Sequence, residues 1–265
     1  MTLGTARPAC DREALRARIF LRSVVPLLEV VLADQPAMAR LFRGVSGAAQ
    51  IEVGGSAVGA CLVFTKGALT VEQGVREQAE VRCSFRDLGA LNTFFAGKPA
   101  LPRVKGLRHP LLLAKVTRLL LSLRLLQPQP PPAEPEERAL RVKLLLYLVT
   151  RALGQLHHGG YAPMVELVED SPERVYQWTV AAEGIGAYLR MHRGRIKAGQ
   201  GTYPLRRPFV HFVFPDVRAA LHVLTATGSQ MSGVRGGLVQ TLGSPEYTRK
   251  ISLLMQKVDE LLVEG

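Results

Sequence analysis

Apolar residues recur at helical spacing near the start of each half of the chain. Residues 12–42 follow this pattern with interruptions at Pro26 and Pro36, and residues 136–156 follow it again. Between the halves, residues 127–135 contain five prolines, each of which fixes φ and removes an amide donor. The pattern predicts helices on both sides of an extended, semi-rigid linker.

The two halves also repeat one pattern of apolar and glycine positions. Residues 59–74 lie over residues 186–201 without a gap, so each position corresponds to the one 127 residues later (186 minus 59). Each copy contains two apolar segments joined by a basic residue and a glycine, Lys66-Gly67 in the first and Arg193-Gly194 in the second. Such a pair is typical of a β-hairpin whose turn requires positive φ. We therefore predict the same hairpin twice.

Both hairpins are followed by the same order of elements. A strand with apolar residues at alternate positions comes first, then an aspartate suited to cap a helix, a short strand ending in glycine and an amphipathic helix. In the first half these are Val81–Phe85, Asp87 with residues 88–96, residues 104–106 and residues 112–126. In the second half they are Val210–Phe214, Asp216 with residues 217–227, residues 234–236 and residues 247–263. Four matches in one order are not expected by chance.

The order of elements in each half indicates an α+β fold built as two tandem modules. The first module is predicted over residues 1–126, the linker over 127–135 and the second module over 136–265. The chain is 47% hydrophobic and 21% charged, which is typical of a folded protein with a sizeable core.

These features resemble the sterol carrier proteins, also called nonspecific lipid-transfer proteins. That family shows a hairpin, a strand leading into an Asp-capped helix, a Phe-Gly step, a short strand ending in glycine and a C-terminal amphipathic helix. The matching segments of the first half are residues 67–74, 79–87, 94–98 and 103–106 and the helix from Leu111. The resemblance covers about residues 12–126 and, less closely, 138–263. The sequence departs from the family at Pro99 and Pro102 and at residues 226–231, which replace the Phe-Gly step.

The resemblance implies that each module is a mostly antiparallel five-stranded sheet covered by helices, with an apolar tunnel that holds a lipid. The residues expected to line the tunnels are Val81, Cys83, Phe85, Leu91, Phe94, Phe95, Leu112, Val116 and Leu119 in the first module and Val210, Phe212, Phe214, Leu221, Leu224, Ile251, Leu254 and Met255 in the second. Ordinary core packing is the competing explanation for each of them, since most buried apolar side chains only fill space.

The chain is strongly basic, with 34 Lys and Arg against 22 Asp and Glu and a formal net charge of +12. No acidic residue occurs between Asp87 and Glu134, or between Glu183 and Asp216. This balance favours polyanions such as anionic lipid headgroups or nucleic acid, although a solvated positive face explains it equally well. The amphipathic helix that ends the first module could rest on an anionic membrane surface. The cations that would allow this contact are Arg103, Lys105, Lys115 and Arg118.

Cysteine content and hydropathy are informative about the cellular compartment of the protein. Cys10, Cys61 and Cys83 form no C-x-x-C pair, which favours reduced thiols and a cytoplasmic location. The first residues lack the apolar core of a secretory signal. The apolar run over residues 111–126 is interrupted by charges and is shorter than the ~20 residues that a spanning helix requires, so we expect no transmembrane segment.

The sequence offers no recognisable catalytic or metal-binding motif. None of the six histidines has H-x-x-x-H spacing or a Cys/His cluster around it, and there is no G-x-S-x-G elbow or phosphate-binding glycine loop. We therefore expect no enzyme activity, no catalytic residue, no metal site and no cofactor.

Three functions remain open at this point. The first is non-catalytic binding and carriage of sterol-, fatty-acyl- or isoprenoid-like lipids. The alternative is an accessory scaffold for a lipid or quinone biosynthetic pathway that binds partner enzymes, as some relatives of this fold assist ubiquinone synthesis. Nucleic-acid binding is disfavoured, because aromatic residues are only 6% of the chain and no RNP-like or helix-turn-helix pattern is present.

Overall fold

The computed structural model describes residues 11–127, 129–169, 171–225 and 237–263. The first half contains α1 (Arg12–Ile19), a π-helical turn (Phe20–Val24), α2 (Leu27–Asp34), α3 (Pro36–Phe42), β1 (Gly47–Val53), β2 (Gly59–Thr65), β3 (Ala68–Gln73), β4 (Val81–Phe85), α4 (Leu88–Phe95), β5 (Arg103–Lys105) and α5 (Pro110–Leu121) with a 3-10 turn (Ser122–Leu126). The second half contains α6 (Pro135–His158), α7 (Ala162–Glu169), β6 (Arg174–Val180), β7 (Ile185–His192), β8 (Arg195–Gln200), β9 (Val210–Phe214), α8 (Val217–Thr225), β10 (Gln240–Gly243) and α9 (Pro245–Val263).

Each half contains a five-stranded sheet with the same strand order. The first sheet runs β3-β2-β1-β4-β5 and the second, written from the corresponding edge, runs β8-β7-β6-β9-β10. In each sheet the central pair, β1 with β4 or β6 with β9, is parallel and the other neighbours are antiparallel. The predicted α+β class is confirmed, and the structure fits two tandem modules. The module boundaries at residues 126 and 136 stay a prediction.

The hairpin turns have the backbone that the sequence predicts. Lys66 and Gly67 have φ of 51° and 94°, and Arg193 and Gly194 have φ of 47° and 73°. Two consecutive residues with positive φ match the right-handed twist of the flanking strands, and glycine adopts this conformation without a steric penalty. Both predicted hairpins are confirmed.

A buried glutamine in the central strand of each sheet repeats at the same spacing. Gln50 Oε1 accepts a hydrogen bond from the backbone N–H of Arg76 at 2.9 Å, and Gln177 Oε1 accepts one from the N–H of Tyr203 at 2.9 Å. Each pair of partners in the second half lies 127 residues after its counterpart, the offset of the hairpins (177 minus 50, and 203 minus 76). The duplication therefore extends to a tertiary hydrogen bond that the apolar pattern did not reveal.

The predicted caps are also present in both halves. Asp87 Oδ1 accepts a hydrogen bond from the N–H of Ala90, and Asp216 Oδ1 accepts one from the N–H of Ala219, both at 2.8 Å. These bonds satisfy amide groups that have no partner within the first helical turn. The predicted short strand at residues 234–236 lies outside the described residues. Among the described strands, β9 pairs with β6 on one side and with the edge strand β10 on the other.

The long helix α6 packs against elements of both halves. It contacts α1, the π-helical turn and α2 of the first half, and β7, β8 and α8 of the second. Buried apolar residues of both halves belong to one continuous cluster. The buried guanidinium of Arg141 in α6 also donates to the linker carbonyls of Gln127 and Gln129, both at 3.0 Å. The modules therefore share a core, with α6 at its centre.

Candidate functional site

The residues predicted to line a tunnel in the first module lie together in the core. Buried side chains are Val81, Phe85, Leu91, Leu112, Val116 and Leu119, and partly buried side chains packed against them are Cys83, Phe94 and Phe95. The rings of Phe85 and Phe94 lie 5.2 Å apart, and those of Phe94 and Phe95 lie 5.4 Å apart. Aromatic pairs at this distance stabilise each other, so this cluster contributes to the packing between the sheet and its helices.

The second module places its predicted residues in the same way. Buried side chains are Val210, Phe212, Phe214, Leu221, Ile251, Leu254 and Met255, and Leu224 is partly buried. Phe212 stacks on Trp178 with ring centroids 5.3 Å apart. None of the predicted residues of either module lines the two clefts described below. A ligand-binding role for them stays a prediction.

A cleft of about 590 Å³ opens where α1 of the first module meets the end of α6, and we call it the α1–α6 cleft. Its apolar lining consists of Ala14, Leu15, Leu21, Ala57, Val58 and Leu88. Its polar lining consists of Asp11, Arg18, Arg22, Gln73 and His158, with backbone from Gly59, Gly74, Gly159 and Gly160. The volume lies within the range of about 300–1,000 Å³ that is usual for small-molecule sites.

Close backbone approach forms one wall of this cleft. A Cβ atom on Gly159, at the end of α6, would lie 2.4 Å from Leu15 Cδ1 in α1. A Cβ atom on Gly59, at the start of β2, would lie 2.5 Å from the carbonyl oxygen of Ile51. Both distances are far below van der Waals contact, so a larger residue at Gly159 would displace the Leu15 side chain, and one at Gly59 would force the backbones of β1 and β2 apart.

Three basic side chains of the cleft come from two distant parts of the chain. Arg18 and Arg22 belong to α1 and the π-helical turn, and His158 is the last residue of α6. Arg18 Nε donates to Gln155 Oε1 at 3.0 Å. Within the described part of the chain, neither arginine has a carboxylate at ion-pair distance. Asp11 caps α1 by accepting from the N–H groups of Glu13 and Ala14.

The pKa directions indicate that the two arginine charges repel each other and favour the neutral form of His158. Burial lowers the pKa of Arg18, and the neighbouring charge of Arg22 lowers it further. Burial also lowers the pKa of His158, the charges of Arg18 and Arg22 add to this effect, and a hydrogen bond with the backbone of Gly154 opposes it. An anion bound among these groups would relieve the repulsion between them.

Sequence reasoning missed Arg18, Arg22 and His158. The only local sign is the four-residue spacing of the two arginines within a largely apolar stretch, which places both on one face of a helix. The approach of His158 depends on tertiary packing, since it lies far away along the chain.

A second cleft of about 520 Å³ lies at the other end of the first sheet. Its lining is Gly47, Ala48, Val63, Phe64, Arg76, Glu77, Gln78, Ala79 and Glu80. Glu80 Oε2 already accepts a hydrogen bond from the N–H of Ala48 at 2.6 Å. With fewer apolar side chains and two glutamates in its lining, this cleft is less suited to an anionic lipid-like molecule than the α1–α6 cleft.

No family model and no curated protein sequence matches the chain. Among solved structures it is similar to a UbiJ-SCP2 ubiquinone synthesis protein, at 10% identity and a TM-score of 0.26, covering 39% of this chain and 95% of that chain. It is also similar to a double mutant of the sec-alkyl sulfatase PisA1, at 13% identity and a TM-score of 0.26, and to the stereoselective inverting sec-alkylsulfatase Pisa1 from Pseudomonas sp., at 13% and 0.24. The sulfatase alignments cover 54% of this chain, which spans only 28% of those chains. Likenesses this distant carry no argument about function.

The predicted membrane-surface cations all belong to the edge of the first module. Arg103 and Lys105 are exposed on the edge strand β5, Arg118 is exposed on α5 and Lys115 is partly exposed there. No described helix has the length and hydropathy needed to cross a membrane. The described residues also contain no cluster of His, Cys, Asp and Glu that could hold a metal ion.

Proposed function

We propose that the protein binds lipid-like amphiphiles without catalysing a reaction, and that the α1–α6 cleft holds the anionic end of such a molecule. The supporting observation is that Arg18, Arg22 and His158 line a cleft whose other side chains are largely apolar. The proposed ligand is a fatty-acyl or isoprenoid chain that ends in a carboxylate or a phosphate.

Two physical terms support this ligand class. Apolar ligand surface removed from water stabilises a complex by about 25 cal/mol per Å². Hydrogen bonds from a guanidinium to a carboxylate or phosphate are roughly twice as strong as those between neutral groups. A sterol with only a hydroxyl group would be stabilised by apolar burial but would gain little from charge-assisted hydrogen bonds. Anionic amphiphiles are therefore the preferred ligands.

A fluorescent fatty acid tests the proposal. Dansyl-undecanoic acid should bind the wild-type protein, and the double variant Arg18→Gln/Arg22→Gln should bind it about tenfold or more weakly, because two charge-assisted contacts are lost. Arg43→Gln is a matched control, since Arg43 is exposed and lies outside the cleft. The methyl ester of the probe should bind both proteins with similar, weaker affinity. Equal binding of the acid by wild type and double variant would overturn the proposal.

The accessory-scaffold alternative is distinguished by what the protein retains on gentle purification. Native mass spectrometry should detect a bound anionic lipid if the protein is a carrier. A pure scaffold would retain partner enzymes and no lipid. We further propose a cytoplasmic location, where Cys61 and Cys83 would stay reduced; neither forms a disulfide with a described residue.

A further inference from the structure

Exposed leucines are concentrated in one short segment of the first module. Leu101 is 97% exposed, Leu107 is 72% exposed and Leu111 is 77% exposed. Val104 and Leu121, in the same segment, are also among the exposed large apolar side chains. Single exposed apolar residues are common on protein surfaces, whereas a group of them in one region of the surface is typical of an interaction site.

The fold places these leucines along one edge of the molecule. Leu101 precedes β5, which is the last strand of the first sheet and pairs only with β4 among the described strands. Leu107 lies between β5 and α5, and Leu111 lies in the first turn of α5. The segment therefore follows the free edge of the sheet and continues onto the start of the closing helix.

Helix α5 continues this surface along its outer face. Leu112, Val116 and Leu119 are buried against the core. The outward stripe, at helical spacing, consists of Leu111, Ala114, Lys115, Arg118 and Leu121. An exposed helix face that combines leucines with lysine and arginine is typical of helices that lie in a membrane interface.

The cations of this surface have no counterion among the residues that the structure describes. The described residues place no carboxylate within ion-pair distance of Lys98, Arg103, Lys105, Arg108, Lys115, Arg118 or Arg124. By contrast, Arg82 and Lys143 elsewhere in the molecule each have a carboxylate oxygen at 2.5 Å. The segment itself offers no partner for these cations, because no acidic residue occurs between Asp87 and Glu134.

We infer that residues 98–124 dock on an anionic lipid bilayer, with Leu101, Leu107 and Leu111 entering the acyl boundary and the surrounding cations contacting headgroups. Charge complementarity selects the occupant, because a bilayer with anionic lipids offers negative charge directly above an apolar layer. A nucleic acid would match the cations but leave the leucines exposed. The inference goes beyond the proposed ligand cleft and does not depend on it.

Vesicle flotation tests the docking surface. The wild-type protein should float with phosphatidylcholine vesicles that contain about one quarter phosphatidylglycerol, and much less with phosphatidylcholine alone. The triple variant Leu101→Ser/Leu107→Ser/Leu111→Ser should partition at least about tenfold less into the anionic vesicles. Leu205→Ser is the control, since Leu205 is 78% exposed and lies in the other module.

A second pair of variants tests whether vesicle binding depends on this particular surface or only on the net positive charge of the protein. Arg103→Gln/Lys105→Gln/Arg108→Gln should lose most of the dependence on phosphatidylglycerol. Arg193→Gln/Arg195→Gln/Lys197→Gln removes the same charge from exposed positions of the second hairpin and should leave vesicle binding nearly unchanged. Equal losses in the two variants, or undiminished binding of the leucine variant, would overturn the inference.

The two proposals fail independently. The leucine variant should still bind dansyl-undecanoic acid, because Leu101, Leu107 and Leu111 do not line the α1–α6 cleft. The Arg18→Gln/Arg22→Gln variant should still float with anionic vesicles. Loss of both activities in either variant would contradict the separation of the two surfaces.

Discussion

The closing helices α5 and α9 occupy the last position of their modules but differ in how their charges are balanced. Both expose apolar residues, Leu111 and Leu121 on α5 and Leu253 and Val263 on α9. Helix α9 pairs its lysines within the helix, as Lys250–Glu246 at 2.5 Å and Lys257–Glu260 at 2.8 Å. No described carboxylate pairs with Lys115 or Arg118 of α5. The duplicated fold thus carries one self-neutralised helix and one whose cations remain available to an external polyanion.

The centres of the two sheets differ in a similar way. Glu52 on β1 pairs with Arg82 at 2.5 Å and accepts from Ser84 Oγ at 2.6 Å. At the corresponding positions of the second sheet, Thr179 Oγ1 lies 2.8 Å from His211 Nε2. Burial lowers the pKa of His211, which favours its neutral form. The same strand register therefore accommodates an ion pair in one module and a neutral hydrogen bond in the other.

The helices that begin the two modules differ most in shape. In the first module Pro26 separates the π-helical turn from α2, whereas α6 is continuous over 24 residues. Leu153 stands at the position 127 residues after Pro26 (153 minus 26) and is fully buried. Because α6 packs against both modules, its continuity is the feature that joins them.

Breaking α6 should have the largest effect on the molecule. Leu153→Pro should lower the free energy of unfolding by about 3 kcal/mol or more beyond Leu153→Ala, because proline removes an amide donor and clashes with the preceding turn. Leu153→Ala alone should cost about 2–5 kcal/mol through the lost burial. Urea denaturation followed by circular dichroism measures both. Equal stability of the two variants would contradict the importance of helix continuity.

Substitution of the buried glutamines should have the next largest effect on stability. Gln50 Nε2 lies within hydrogen-bond distance of the carbonyl oxygens of Ile51, Ala60 and Gly74, which its two N–H groups share, and Oε1 accepts a further bond. Gln50→Leu should therefore cost about 3 kcal/mol, and Gln177→Leu, which loses fewer bonds, about 1 kcal/mol. Urea midpoints of the two variants check the ranking. A larger loss of stability for Gln177→Leu than for Gln50→Leu would contradict the ranking derived from the hydrogen bonds.

Much of the repeated architecture could be predicted because its causes are local. The Lys66-Gly67 and Arg193-Gly194 turns require positive φ, and Asp87 and Asp216 cap the helices that directly follow them. The central strands β1 and β6 were not predicted from the residues. Gln50 and Glu52 are buried in β1 beside apolar neighbours, so the strand lacks the alternation of polar and apolar residues that a half-exposed strand shows.

The candidate site was beyond sequence reasoning for a different reason. The α1–α6 cleft exists because α6 of one module packs on α1 of the other, which brings His158 beside Arg18. No local pattern encodes that approach. The predicted tunnel residues, by contrast, are buried or partly buried, but apolar periodicity does not distinguish a residue that lines a cavity from one that fills it, so their ligand-binding role stays a prediction.

Transferring the charge pattern of α9 to α5 should have a moderate effect on vesicle binding. Arg118→Glu places a carboxylate three residues after Lys115, the spacing of Lys257 and Glu260 in α9. Vesicle partitioning should fall about tenfold, while the free energy of unfolding should change by no more than about 0.5 kcal/mol, as is usual for an exposed position. Arg195→Glu is the control of equal charge change. Wild-type partitioning of Arg118→Glu would argue that charge pairing does not distinguish the two helices.

The smallest expected effect is a proton linked to ligand binding in the α1–α6 cleft. The pKa of His158 lies below its ordinary value of about 6.5 in the free protein, because of burial and the charges of Arg18 and Arg22. An anion bound beside it would raise that pKa, so the complex should take up a fraction of a proton and affinity should increase about threefold as pH falls from about 8 to about 6.

Decane sulfonate is a suitable ligand for this measurement because its own charge does not change over that range. Calorimetric titration in buffers of different ionisation enthalpy should show proton uptake by the wild-type protein and none by His158→Gln. Asp11 and His157 also lie near the site, so Asp11→Asn and His157→Gln identify any share they take in the linkage. Undiminished uptake in His158→Gln would remove His158 from the anion site while leaving the contribution of the two arginines to be judged by their own variant.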